Sequence, residues 1–220
     1  MKKISFILGI TVFLMSCNSN QSAEQAETGE AKKVTETEGK EYSIEPGSSV
    51  VNWRGTKVGG EHYGYVDISE GEVKVDDNMV TGGKIVIDLN SIVDEDIENE
   101  SMNARLVGHL KSEDFFYTQE YPEAVFEITS IEEFNGEAMG DVNPNYRVTG
   151  NLTMRGKTNS ISFPAKIEIS DSKITAKTNE FSIDRTKWDV NFKSRTVFAE
   201  FKDDYIDDLM NLQFDVVFTE

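Results

Sequence analysis

The sequence predicts an all-β fold, an antiparallel sandwich or barrel of about eight strands with one short helical insertion. Three observations lead there. Beyond Tyr42 apolar and polar residues alternate at period two, clusters of turn-forming residues separate these runs at short spacing, and the chain carries 13 Phe, 7 Tyr and 2 Trp among its 220 residues.

The clearest alternation begins at Tyr146, where Tyr146, Val148, Gly150, Leu152 and Met154 share one face while Arg147, Thr149, Asn151, Thr153 and Arg155 share the other. Ile161, Phe163, Ala165, Ile167 and Ile169 repeat the pattern, as do Leu212, Phe214, Val216 and Phe218. Shorter alternations surround Val51 and Trp53, Gly64 to Ile68, Ile85 to Leu89, and Phe126 with Ile128. Turn signals such as Asp76-Asp77-Asn78 and Ser170-Asp171-Ser172 divide them. One segment departs from period two: between Ser91 and Phe116 the apolar residues Met102, Leu106 and Leu110 fall at helical spacing, with Val107 beside them. The acidic residues Asp94, Glu95, Asp96 and Glu98 read as the solvated start of this helix, where they suit its dipole, and Gly108 as the end of its regular part. Such a helix among strands is expected to cap one end of a barrel.

The N-terminus carries a different signal. Lys2 and Lys3 precede an apolar run from Ile4 to Met15, too short to span a bilayer and typical of an export signal. The chain's single cysteine, Cys17, follows Leu14, Met15 and Ser16 in a way that resembles the lipobox of bacterial lipoproteins. That resemblance implies cleavage before Cys17 and a lipid anchor on it, in the periplasm-facing or surface-facing envelope; an ordinary secretory signal is the alternative. The domain reading is therefore a signal segment over 1–17, a disordered acidic tether over 18–41 and a β domain over 42–220. The tether assignment rests on composition, since 18–41 holds no aromatic residue, Leu or Ile.

With 40 acidic residues against 22 basic ones, the net charge is −18, which argues against binding to a phosphate backbone or attraction to an anionic membrane surface. A single cysteine excludes an intrachain disulfide. Catalysis requires a nucleophile beside a base or a tuned carboxylate pair, and no such constellation is legible. A metal-dependent enzyme using His62 and His109, the only histidines, is the remaining enzymatic alternative, and no metal is expected. The run from Asp94 to Glu98 fails as an EF-hand loop, because Asn99 stands where glycine is needed and Arg105 where the bidentate glutamate is needed.

Four stretches resemble the YceI-like family. His109-Leu110-Lys111-Ser112-Glu113-Asp114-Phe115-Phe116 with Tyr121-Pro122-Glu123-Ala124-Val125-Phe126 is similar to its HLxSxDFF…YPxxxF stretch, and Gly150 through Thr158 to its GxLTxxGxT strand and turn. Ile183 through Val190 is similar to a third signature, and Tyr42 through Trp53 suits the first strand. Tyr117 stands where Asp is usual and Asp189 where Gly is usual, which puts the local backbone at Asp189 in question. The resemblance implies a lipocalin-like up-and-down barrel whose lumen holds a polyisoprenoid or isoprenoid quinone, with no cofactor and no catalytic residues.

On that reading Leu152, Met154, Ile161 and Phe163, together with Trp53, Phe126, Phe181, Trp188 and Phe214, are expected to line one continuous apolar tunnel. Leu106, Leu110, Phe115 and Phe116 are expected to close one end, and His109 and Arg185 to contact a head group. A ligand-free scaffold is the alternative from another functional class, and self-association into a homodimer is left open.

Overall fold

The computed structural model describes residues 23–198 and 204–220, so the export segment and Cys17 lie outside the described residues. The alternating runs lie in strands, and further strands form where no alternation was read. In chain order they are β1 (Glu24–Gln25), β2 (Glu27–Glu30), β3 (Lys40–Ile44), β4 (Val50–Lys57), β5 (Gly60–Asp76), β6 (Met79–Asp88) and β7 (Val93–Asp94). After helix α1 (Glu100–Lys111) come β8 (Glu123–Glu133), β9 (Tyr146–Met154), β10 (Lys157–Ile169), β11 (Lys173–Lys177), β12 (Phe181–Asp184) and β13 (Ile206–Thr219).

Neighbouring strands pair antiparallel in sequence from β4 through β5, β6, β8, β9, β10 and β11 to β13. β13 then pairs back onto β4, with Leu212 opposite Trp53 and Phe214 opposite Val51. The wall therefore closes as an up-and-down barrel of eight staves, which pairs most of the edges an open sheet would leave. Register shifts in β5 between Ile68 and Glu70, and in β8 between Ile128 and Ser130, mark bulges that let long strands bend around the wall. Val148, Leu152 and Met154 on β9, Ile161, Phe163 and Ala165 on β10, and Leu212, Phe214 and Val216 on β13 are all buried in one core.

Turn chemistry fits the hairpins. Asp77 and Asn78, at φ 46° and 60°, make the two-residue connection between β5 and β6, and Arg155 and Gly156, at 49° and 71°, that between β9 and β10. Positive φ at both central residues is what a tight type I′ hairpin needs, and Asn, Asp and Gly reach it at least cost.

Helix α1 differs from expectation at both ends. The acidic run precedes it: Asn99 is the N-cap, its side chain accepting from the Met102 N–H at 3.0 Å. Gly108 lies within the helix, which continues to Lys111 and stops where the Ser112 N–H donates to the His109 carbonyl at 3.1 Å.

The expected disordered tether is corrected from residue 23 onward. β1 pairs in parallel with β12, and β2 pairs antiparallel with β10, so residues 24–30 bridge two strand edges that the eight staves leave unpaired. Farther along, the Lys32 N–H donates to Asn151 Oδ1 at 2.8 Å, and Asn151 Nδ2 donates back to the Lys32 carbonyl at 2.7 Å. Thr81 Oγ1 donates to the Glu38 carbonyl at 3.0 Å. Beyond the buried Ala26 the segment is held through its backbone groups, which a composition-based reading does not register.

Candidate functional site

The barrel interior holds two apolar chambers. The first, about 100 Å³, lies beneath the end of α1 and is walled by Trp53, Leu110, Phe115, Phe116, Leu152 and Met154, among others. The second, about 70 Å³, is walled by Phe126, Phe163, Ile174, Val216 and Phe218 with their neighbours. Phe214 borders both. Around it stand Phe126, Phe163 and Phe181: Phe163 stacks on Phe181 at 4.5 Å between ring centroids and on Phe214 at 5.5 Å, while Phe126 lies 5.5 Å from Phe163.

Where one continuous tunnel was expected from sequence, the structure has two chambers meeting at three stacked phenylalanine rings with Phe126 tilted against them. Empty apolar volume costs roughly 24 cal/mol per Å³, so large rings close over the lumen where they can. Ile161, Phe181 and Trp188 belong to the buried core and border neither chamber; the Trp188 indole donates to the Leu152 carbonyl at 2.9 Å. Leu106 packs half-buried against the core outside the chamber wall, whereas Leu110, Phe115 and Phe116 cover the end of the barrel as expected. Sequence reasoning passed over Ile87, Ile92, Ala124 and Met210 in the first wall and much of the second. Buried alternation in β6 and β8 was the signal for several of these.

Both residues expected at a head group are engaged with protein partners. Arg185 is 3% exposed and borders the first chamber, but its guanidinium donates to the carbonyls of Asp207 (2.9 Å), Phe192 (3.1 Å), Ile206 (3.0 Å) and Val190. Asp208 lies 3.8 Å away and is held below the ordinary carboxylate range; burial opposes this, and hydrogen bonds from Ser194 and Thr196 with the charge of Arg185 outweigh it. Arg185 is thus a clamp that ties the chain at Val190 and Phe192 to the chain at Ile206 and Asp207. His109 borders neither chamber: its Nε2 pairs with Asp114 Oδ2 at 2.9 Å, and its ring meets Phe115 and Phe192 edge-on at 5.0 and 4.8 Å. It fixes the turn that follows α1.

The two histidines are not brought together in one cluster. Among the described residues the group able to gather around a metal is His62, Asp94 and Asp96, with one donor atom of each inside 4.8 Å of the others. Burial and the neighbouring Asp96 raise the Asp94 carboxyl above its ordinary value. Asp96 is lowered: burial opposes this, and bonding with Asp94, the Tyr63 N–H and the His62 ring outweighs it.

Sequence comparison supplies the relationship. The pattern of the YceI-like domain matches residues 42–218. The chain belongs to the YceI-like family.

Among solved structures, Burkholderia cenocepacia BcnA is 22% identical, with a TM-score of 0.54 over 77% of this chain and 95% of that one. A polyisoprenoid binding domain from Saccharophagus degradans, implicated in plant cell wall breakdown, is 15% identical, with a TM-score of 0.54 over 81% of this chain and 97% of that one. At these identities the likeness is one of fold. No curated protein sequence matches the chain.

Within the YceI-like domain the motifs acquire physical roles. Gly150 lies under the Phe126 ring, and a Cβ there would come within 2.4 Å of it, so the glycine makes room for one member of the phenylalanine cluster. Both departures from the family pattern fall on left-handed backbone, Tyr117 at φ 50° and Asp189 at φ 58°. Asp189 ends the short 3-10 turn Arg185–Trp188, which explains why glycine is usual there.

Proposed function

We propose that this YceI-like protein is a non-enzymatic carrier or store for a long-chain isoprenoid lipid, a polyisoprenoid or an isoprenoid quinone, in the bacterial cell envelope. The observation that carries the reading is the pair of apolar chambers that Phe214 borders from both sides, the first of them covered by Leu110 of α1. The polyisoprenoid binding domain that shares this fold supports the ligand class.

Both chambers are far smaller than the roughly 300–1,000 Å³ of ordinary ligand pockets. A long chain is therefore accommodated by rotating Phe214 and its stacked neighbours aside, joining the chambers into one lumen. The end of α1 with Leu110, together with the turn after it that carries Phe115 and Phe116, is the element that moves for entry. Catalysis plays no part in this reading.

Organic extraction and native mass spectrometry of the full chain purified from its own bacterium test the proposal. One isoprenoid lipid per chain is the expected result. Lipid-free protein that also takes up no isoprenoid quinone would favour the scaffold. The proposed anchor has its own test: Cys17→Ser should move the protein from the membrane to the soluble fraction, and unchanged membrane retention would exclude lipidation at Cys17.

A further inference from the structure

Where β5, β7 and the start of α1 meet, the structure assigns a binding site for one first-row divalent cation, with Zn²⁺ preferred, to His62, Asp94 and Asp96. The site stands on its own geometry and does not depend on the lipid reading.

Asp94 is the decisive residue. It is 7% exposed, and its two carboxylate oxygens are treated differently by the fold. Oδ1 accepts from the Ile97 N–H at 3.0 Å and from Asn103 Nδ2 at 3.1 Å, while Oδ2 is buried with no donor. A buried carboxylate oxygen without a partner is costly, and a cation is the partner that the neighbouring groups are able to share. Asp96 approaches the same point, its Oδ2 lying 3.0 Å and its Oδ1 3.3 Å from His62 Nδ1. With Zn–N and Zn–O bonds of 2.0–2.2 Å at tetrahedral angles, ligand atoms stand roughly 3.4 Å apart, close to this spacing. The donor atoms of the trio lie within 4.8 Å of one another, and bringing the widest separation to this spacing takes at most about 0.7 Å from each ligand.

The donor set narrows the choice of ion. One imidazole with two carboxylates and no thiolate suits Zn²⁺ or its first-row neighbours and leaves a position for water; Ca²⁺ and Mg²⁺ prefer all-oxygen shells of six or more. Groups behind the ligands already orient them, since Tyr63 N–H donates to Asp96 Oδ1 at 3.0 Å while Ile97 and Asn103 hold Asp94. Gly64 makes the approach possible: a Cβ there would stand 2.1 Å from the Val93 carbonyl, which accepts from the Trp53 indole at 3.1 Å. A bound cation would thereby fasten α1, through Asn103, to the strand pair beside the wall residue Trp53.

The test is titration of Zn²⁺ alone, then Ca²⁺ alone, into the chelator-stripped full chain by calorimetry and thermal unfolding. We expect one equivalent of Zn²⁺, a Tm rise of roughly 5–10 °C at a hundredfold excess over Kd, and Ca²⁺ binding at least tenfold weaker. His62→Gln, at a half-buried ring, and Asp94→Asn should each weaken Zn²⁺ at least tenfold. Absence of saturable Zn²⁺ binding would overturn the assignment, as would affinity unchanged in both variants. If the two carboxyls instead share only a proton, Asp94→Asn raises Tm and wild type shows no Zn²⁺ equivalent, which also overturns it.

Discussion

Replacing Arg185 with Met should destabilise the barrel by about 3–5 kcal/mol, lowering Tm by roughly 10 °C in thermal unfolding. Four backbone carbonyls, those of Val190, Phe192, Ile206 and Asp207, lose their donor at once, and the Asp208 carboxylate loses its cation. Leaving such groups buried and unpaired costs more than the net worth of the bonds themselves. Arg185→Lys discriminates further. It keeps the charge, yet an ammonium offers three rotating donors where the guanidinium fits four carbonyls with a planar fork, so most of the loss should persist. Lysine matching wild type within about 0.5 kcal/mol would mean that charge alone matters. Unaltered stability with diminished lipid binding would restore Arg185 to the head-group role.

Filling the chambers should give the opposite sign in stability. Ala124 borders the first chamber and Ala165 the second, both buried. Leucine at either adds three carbons into existing space, each worth about 0.8 kcal/mol when buried, so a gain of up to about 2 kcal/mol is expected, less any strain from repacking. The paired variant Ala124→Leu with Ala165→Leu should therefore melt no lower than wild type while its isoprenoid occupancy falls at least tenfold. A ligand-free scaffold would show the stability gain and have no occupancy to lose. Reduced stability with unchanged lipid content would place the ligand outside the lumen.

What could be read from the sequence depended on whether side chains or backbone made the structure. β9, β10 and β13 were legible because one face is apolar for four or five alternating positions, and a slip of one residue would expose it. Asp77-Asn78 was legible as a turn because positive φ restricts residue choice, whereas Arg155 reads from sequence as the end of a strand face and the turn at Arg155-Gly156 comes only with the family resemblance. β1 and β2 were invisible, since their pairing with β12 and β10 draws on main-chain groups that every residue carries. Among site residues, Trp53, Leu110, Leu152, Met154 and Phe214 were placed correctly at a chamber wall because their strands and helix were assigned correctly. The division into two chambers was not legible: it depends on how four phenylalanine rings pack across the barrel, a three-dimensional packing result. Asp94 was misread for a related reason. A run of acidic residues ordinarily faces water, and only the pairing of β7 with Gly64 carries this one inside.

The most direct measurement of the carrier account is native mass spectrometry of the delipidated full chain offered a forty-carbon isoprenoid quinone, with the doubly leucine-filled variant run beside it. The account predicts one quinone per chain on the wild type and at least a tenfold lower occupancy on the variant. Equal occupancy of both proteins, or none on the wild type, would contradict it.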